Sequence, residues 1–128
     1  MIEIASAYSG FSVDDVEEAR RFYSDTLGLE VRELVPGQML SLILPGGGAS
    51  VLLYGKPDHT PASFTVLNLV VDDIDVAVDA LTAQGLEPDR SSPWADARGV
   101  MRGRSQNRGP DIAWFTDPAG NIFSVQQQ

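Results

Sequence analysis

Hydrophobic and polar positions alternate along this chain in a pattern that occurs twice. Ala5 to Val13 is poor in charge and predicts a strand. Asp14 then opens a helix, with Glu17 three residues on as a variant of the capping box. Val16, Ala19, Phe22 or Tyr23, and Leu27 supply helical spacing, and Gly28 supplies the left-handed residue that stops it. Leu29–Leu34, Met39–Leu44 and Ala49–Tyr54 predict three further strands, separated by Pro36-Gly37 and by Pro45-Gly46-Gly47-Gly48.

The second half repeats the order. Phe64 to Val71 is an apolar, β-branched strand, and Asp72 with Asp75 repeats the capping pair. Ile74, Ala77, Val78 and Leu81 form an i, i+3, i+4, i+7 stripe that ends at Gly85. Leu86–Arg90, Asp111–Thr116 and Asn121–Gln126 predict strands, the last two joined by the turn Asp117-Pro118-Ala119-Gly120-Asn121. Val13-Asp14-Asp15-Val16-Glu17 and Val71-Asp72-Asp73-Ile74-Asp75 are the matching openings, and Gly28-Leu29-Glu30 and Gly85-Leu86-Glu87 the matching ends. Such self-similarity is an internal repeat. It predicts an α+β chain of two β-α-β-β-β modules, 1–54 and 64–128, joined by a linker at 55–63 within one domain, 1–128. Gly10, inside the first strand, marks a bulge or a close approach of backbone.

Composition narrows the function. A length of 128 residues suits one domain with a core of its own. Without cysteine there is no disulfide and no thiolate chemistry. The start lacks a signal-peptide pattern and no run approaches a membrane span, so a cytoplasmic protein with no membrane partner is expected. A net charge of −9 argues against nucleic acid and suits a cationic small ligand, although solubility alone explains an acidic surface. The charge is uneven. Residues 90–108 hold five arginines against Asp96 alone, and the segment is Arg- and Gly-rich and poorly periodic. It reads as a lid over an anionic ligand, or as a set of arginines that are solvated or paired with the acidic remainder.

The repeat, the helix Asp-Val-Glu-Glu-Ala-Arg-Arg-Phe-Tyr followed by Leu-Gly-Leu, and Asp-Pro-Ala-Gly-Asn before the last strand resemble the vicinal-oxygen-chelate superfamily. Its members include glyoxalase I, bleomycin-resistance proteins and extradiol dioxygenases. The resemblance covers nearly the whole chain and implies a mixed sheet curled around a cavity, with one metal-ligand position on each of four strands. Counting from the motifs places these at Tyr8, Leu52, Val66 and Ser124. Shifting by two, which keeps the strand face, gives Ser6 or Gly10, Ser50 or Tyr54, Phe64 or Asn68, and Ile122 or Gln126. None is a carboxylate or an imidazole, so no metal and no other cofactor is expected. That argues against glyoxalase I and extradiol dioxygenase chemistry.

Candidate groups remain. Ser6, Tyr8, Leu52, Tyr54, Val66, Asn68 and Ser124 fall, by parity and resemblance, on the cavity wall, and Trp94, Met101 and Arg102 on the long segment that covers a pocket mouth or anchors the loop. His59, the only histidine, and Tyr8 are the candidate acid–base groups. His59 also reads as a plain linker residue beside Asp58. Three functions follow: a metal-independent small-molecule binder similar to the bleomycin-resistance proteins; a lyase, isomerase or dioxygenase-like enzyme; and a structural dimer with a filled cavity. In each, the expected partner is a second copy of the chain, with a small-molecule ligand in the first two.

Overall fold

The structure, a computed structural model, describes residues 1–128. The chain divides into two compact units, Met1–Pro61 and Ala62–Gln128. The division falls inside the expected linker.

In the first unit the elements are β1 (Ser9–Val13), α1 (Val16–Arg21), β2 (Glu30–Val35), β3 (Met39–Ile43) and β4 (Ser50–Gly55). They form a four-stranded sheet in the order β1-β4-β3-β2, with β1 parallel to β4 and the other pairs antiparallel. The first strand is shorter than its composition predicts: residues 1–8 lie outside it and are exposed. The helix cap is Asp15, not Asp14; its carboxylate accepts the Glu18 N–H at 3.0 Å. Asp15 has the extended backbone that an N-cap requires, and its side chain reaches one of the orphan amides of the first turn.

After Arg21 the helix widens into a π-helical turn over Phe22–Thr26. Here both Phe22 and Tyr23 are buried, their rings meeting edge to face at 5.2 Å, and Tyr23 also meets Phe11 at 6.2 Å. The sequence pattern allowed one of these two aromatics on the core face; the widened turn admits both. Gly28, at φ +75°, then reverses the chain. Leu40, Leu42 and Leu53 alternate onto this same core and are fully buried.

The second unit contains β5 (Thr65–Val70), α2 (Ile74–Ala83), β6 (Met101–Arg102), β7 (Asp111–Thr116) and β8 (Ile122–Gln127), in the sheet order β5-β8-β7-β6. This repeats the first topology. Asp73 rather than Asp72 caps α2, accepting from Asp75 N and Val76 N. Ile74, Val78 and Leu81 are the buried positions of the helix. The expected strand at 86–90 does not form. Its place in the order is taken by the two residues of β6, paired with Asp111 and Ile112. The turn before β8 forms as expected: Asp117 accepts the Gly120 and Asn121 amides at 2.9 and 2.8 Å, through its carbonyl and its carboxylate. No helix is long and apolar enough to cross a membrane.

Candidate functional site

The strand register decides which side chains share a face. In the second unit Leu67, Ala113, Phe115, Phe123 and Val125 are buried with the helix, and Phe115 stacks on Phe123 at 5.8 Å. The other face carries Asn68, Ser124, Gln126 and Trp114. β5 pairs Thr65 with Ile122 but Leu67 with Phe123, so Val66 is a bulged residue. The bulge rotates Thr65 onto the face of Asn68, three residues away, which strict alternation forbids. There the Trp114 indole N–H donates to the Thr65 hydroxyl at 3.2 Å.

This face holds two features. The first is a polar cluster: the Ser124 hydroxyl donates to the Asn68 side-chain carbonyl at 2.6 Å, and the Gln126 amide donates to the same oxygen at 3.2 Å. Ser124 is fully buried and Asn68 exposed. The second is a cleft of about 370 Å³ lined by Phe64, Thr65, Trp114 and Thr116, with Glu87 and Asp89 at its rim. Phe64 is 68% exposed and offers its ring to any occupant. Glu87 pairs with Arg90 at 3.1 Å. The Asp89 carboxylate accepts the Ser91 N–H at 2.8 Å, which holds its pKa below the usual carboxylate value.

The arginine-rich segment is tied to its own unit. Arg102 binds both oxygens of Asp75 at 2.8 and 3.1 Å and one of Asp96 at 3.0 Å. Arg98 pairs with Asp75 and Asp79, and Arg104 approaches Asp111 at 3.8 Å. The hydrogen bonds from Arg102 lower the Asp75 pKa, and Asp75 in turn raises that of Arg102. The acidic start of α2 thus absorbs the local positive charge, the paired alternative of the two read from the sequence. Trp94, Met101 and Arg102 do come together, with Arg108 lying 5.8 Å over the Trp94 ring, but the crevice between them holds only about 50 Å³.

In the first unit Leu52 and Tyr54 line a shallow hollow of about 410 Å³ with Met39 and Lys56. Gly10 makes the close approach expected of it, with no bulge: a Cβ there would lie 3.0 Å from the Leu52 carbonyl oxygen. Ser6 and Tyr8 lie before β1, in the exposed segment, so strand parity does not govern them. His59 is not an isolated linker side chain. Its Nδ1 lies 2.7 Å from Oγ of Ser12, on β1, while Asp58 pairs with Lys56 at 3.3 Å.

The four positions counted from the motifs for metal ligands hold Tyr8, Leu52, Val66 and Ser124. Leu52 and Val66 have no donor atom, and the Ser124 hydroxyl is engaged with Asn68. No three His, Cys, Asp or Glu side chains stand together as a metal-binding group. Sequence reasoning missed the cleft residues Phe64, Thr65, Glu87, Asp89 and Trp114 as a set. Thr65 was hidden by the bulge, and Glu87 and Asp89 lay on an expected strand that does not form.

Two β-α-β-β-β units, each a four-stranded mixed sheet packed on a helix, define an α+β protein of the glyoxalase and bleomycin-resistance class. The sequence profile of the Glyoxalase/Bleomycin resistance protein/Dioxygenase superfamily matches residues 6–125, and the chain belongs to that superfamily. No curated protein matches it significantly. Among solved structures, TnmS3, an antibiotic binding protein from Streptomyces sp. CB03234, is 28% identical over 98% of both chains, with a TM-score of 0.64. A lactoylglutathione lyase from Agrobacterium tumefaciens is 20% identical over 98% of this chain and 96% of its own, with a TM-score of 0.67. The fosfomycin resistance protein FosX from Listeria monocytogenes is 11% identical over 99% of this chain and 95% of its own, with a TM-score of 0.69. The last two likenesses are of fold alone.

Proposed function

We propose that this protein binds a small molecule in the cleft over Trp114 and does so without the divalent metal of its superfamily. The observation that carries the reading is the cleft itself. Its volume falls within the range of ligand sites, roughly 300–1,000 Å³, and it combines aromatic area with a few placed polar groups. The unfit donor set at Tyr8, Leu52, Val66 and Ser124 supports metal independence. Likeness to TnmS3, an antibiotic binding protein, supports sequestration over turnover. The protein acts in this reading as a cytoplasmic homodimer; exposed Leu34, Val70 and Val76, outside the cleft, support self-association, which sedimentation velocity checks.

Trp94 and Trp114 are the only tryptophans. Trp94→Phe therefore leaves an emission signal from the cleft alone. Saturable quenching of that signal by members of an aromatic compound panel is expected, and Trp114→Ala, read by calorimetry because it removes the emission, should weaken the same binding at least tenfold. Saturable binding that leaves the Trp114 signal unmoved would overturn the site.

A second reading, an enzyme doing acid–base chemistry, is favoured by one observation, the contact of Ser12 with His59. His59→Gln separates the two: a binder keeps its ligand affinity and no turnover exists to lose, whereas an enzyme loses conversion of its substrate.

A further inference from the structure

The chemistry of the cleft specifies its ligand further. Resting on the binding function proposed above, we infer that the cleft takes a planar aromatic molecule bearing a protonated amine, with Asp89 as the counter-ion.

Three observations point this way. The side walls are π surfaces: the Trp114 indole is held by its hydrogen bond to Thr65, and the Phe64 ring is exposed beside it. Such faces attract cations and stack on flat rings. The rim is acidic, and its two carboxylates differ. Glu87 is matched by Arg90. Asp89 has one oxygen on the Ser91 amide and no cationic partner within ion-pair distance. Its backbone is tied to β7, because its own N–H donates to the Trp114 carbonyl oxygen at 2.9 Å. The uncompensated charge and the aromatic walls therefore line one cleft.

The sign of the field agrees. A chain of net charge −9 attracts cations and repels anions at long range. An anionic ligand would face Asp89 with every nearby arginine already engaged: Arg90 is committed to Glu87, and Arg98, Arg102 and Arg104 to aspartates elsewhere in the unit. An uncharged ring system would satisfy the aromatic walls and leave Asp89 unused.

The test compares three probes of one shape on the Trp94→Phe protein: 9-aminoacridine, a cation at neutral pH; acridine, neutral there; and acridine-9-carboxylate, an anion. Quenching of Trp114 should report 9-aminoacridine binding about tenfold tighter than acridine, with the carboxylate weakest. Asp89→Asn should bring the cation and the neutral ring to within about twofold, through loss of cation affinity alone. Glu33→Gln, on β2, removes one negative charge just as Asp89→Asn does and should leave the preference intact. Equal binding of cation and neutral ring by the parent protein overturns the inference and leaves the binding function standing. A preference that Glu33→Gln abolishes as fully as Asp89→Asn also overturns it, as bulk attraction. Quenching by none of the three overturns the inference; quenching of Trp114 by other members of the aromatic panel would then preserve the binding function, and its absence would overturn that too.

Discussion

The backbone N–H of Asp89 donates to the carbonyl oxygen of Trp114 at 2.9 Å, joining the segment after α2 to β7. This one bond ties the backbone of two residues that line the same cleft, where no regular strand pairs the two segments. Position in the cleft thus depends on how firmly Trp114 is held. Thr65→Val keeps the shape of the side chain and removes the acceptor for the indole N–H. Loss of the half-buried bond should cost about 1 kcal/mol of stability. Ligand affinity at Trp114 should fall several-fold. Urea unfolding with ligand titration on the Trp94→Phe background measures both.

Arg102 joins α2, through Asp75, to the turn at Asp96 and so anchors the long segment. The pairs are half exposed, so solvent screens them. Arg102→Met should lower stability by about 1 kcal/mol. Arg102→Lys should not restore it, since a single ammonium cannot hold both carboxylates of Asp75 and Asp96 in the same fork geometry. Chemical denaturation of the two variants side by side checks this. Full rescue by lysine would show that charge alone matters.

The same cluster predicts an acid response. Hydrogen bonding to Arg102 depresses the Asp75 pKa in the folded chain below its ordinary 3.8. The contribution of Asp75 is therefore fully present above that ordinary value and is lost as pH falls through the lower folded one. Stability should hold from pH 7 to about 5 as far as this group is concerned and decline below about 4. The Arg102→Met protein should show a shallower decline over the same window. Urea midpoints across pH 3–7 decide it; parallel curves for both proteins would remove Asp75 as a source of acid lability.

Gly103 follows β6 where the chain doubles back on Arg108–Pro110. A Cβ on it would lie 2.5 Å from the Pro110 carbonyl oxygen and 2.9 Å from that of Gly109. Both obstacles are backbone, so no side chain can rotate away. Gly103→Ala should destabilise the second unit by about 2 kcal/mol or more. Gly47→Ala, with nothing within 4 Å of its Cβ, should be close to neutral. Thermal unfolding of the pair tests the contrast.

Titration with Mn²⁺, Ni²⁺ and Zn²⁺ should show no tight stoichiometric binding by calorimetry, given the side chains at Tyr8, Leu52, Val66 and Ser124. One tightly held metal per chain would instead return metal-assisted chemistry to the front.

Much of this protein is written locally. The repeat, the aspartate caps, the glycine stops at Gly28 and Gly85, and the Asp117–Asn121 turn each follow from short-range preferences. They suffice for the order of elements and, with the turn and helix motifs, for the superfamily. Local rules also placed both caps within one residue, since two adjacent aspartates stand at each helix start.

What tertiary structure alone decided are the exceptions to period. The widened turn at Phe22 and Tyr23, the bulge at Val66 and the displacement of the sixth strand to Met101 each break an alternation that sequence reading must assume. The contacts at the candidate site residues are of the same kind. Ser12 with His59, Trp114 with Thr65, and Arg102 with Asp75 join residues 27 to 49 positions apart. No local pattern encodes such partners. They arise when the sheet register is set by burial of the core, and the polar face takes whatever neighbours that register delivers.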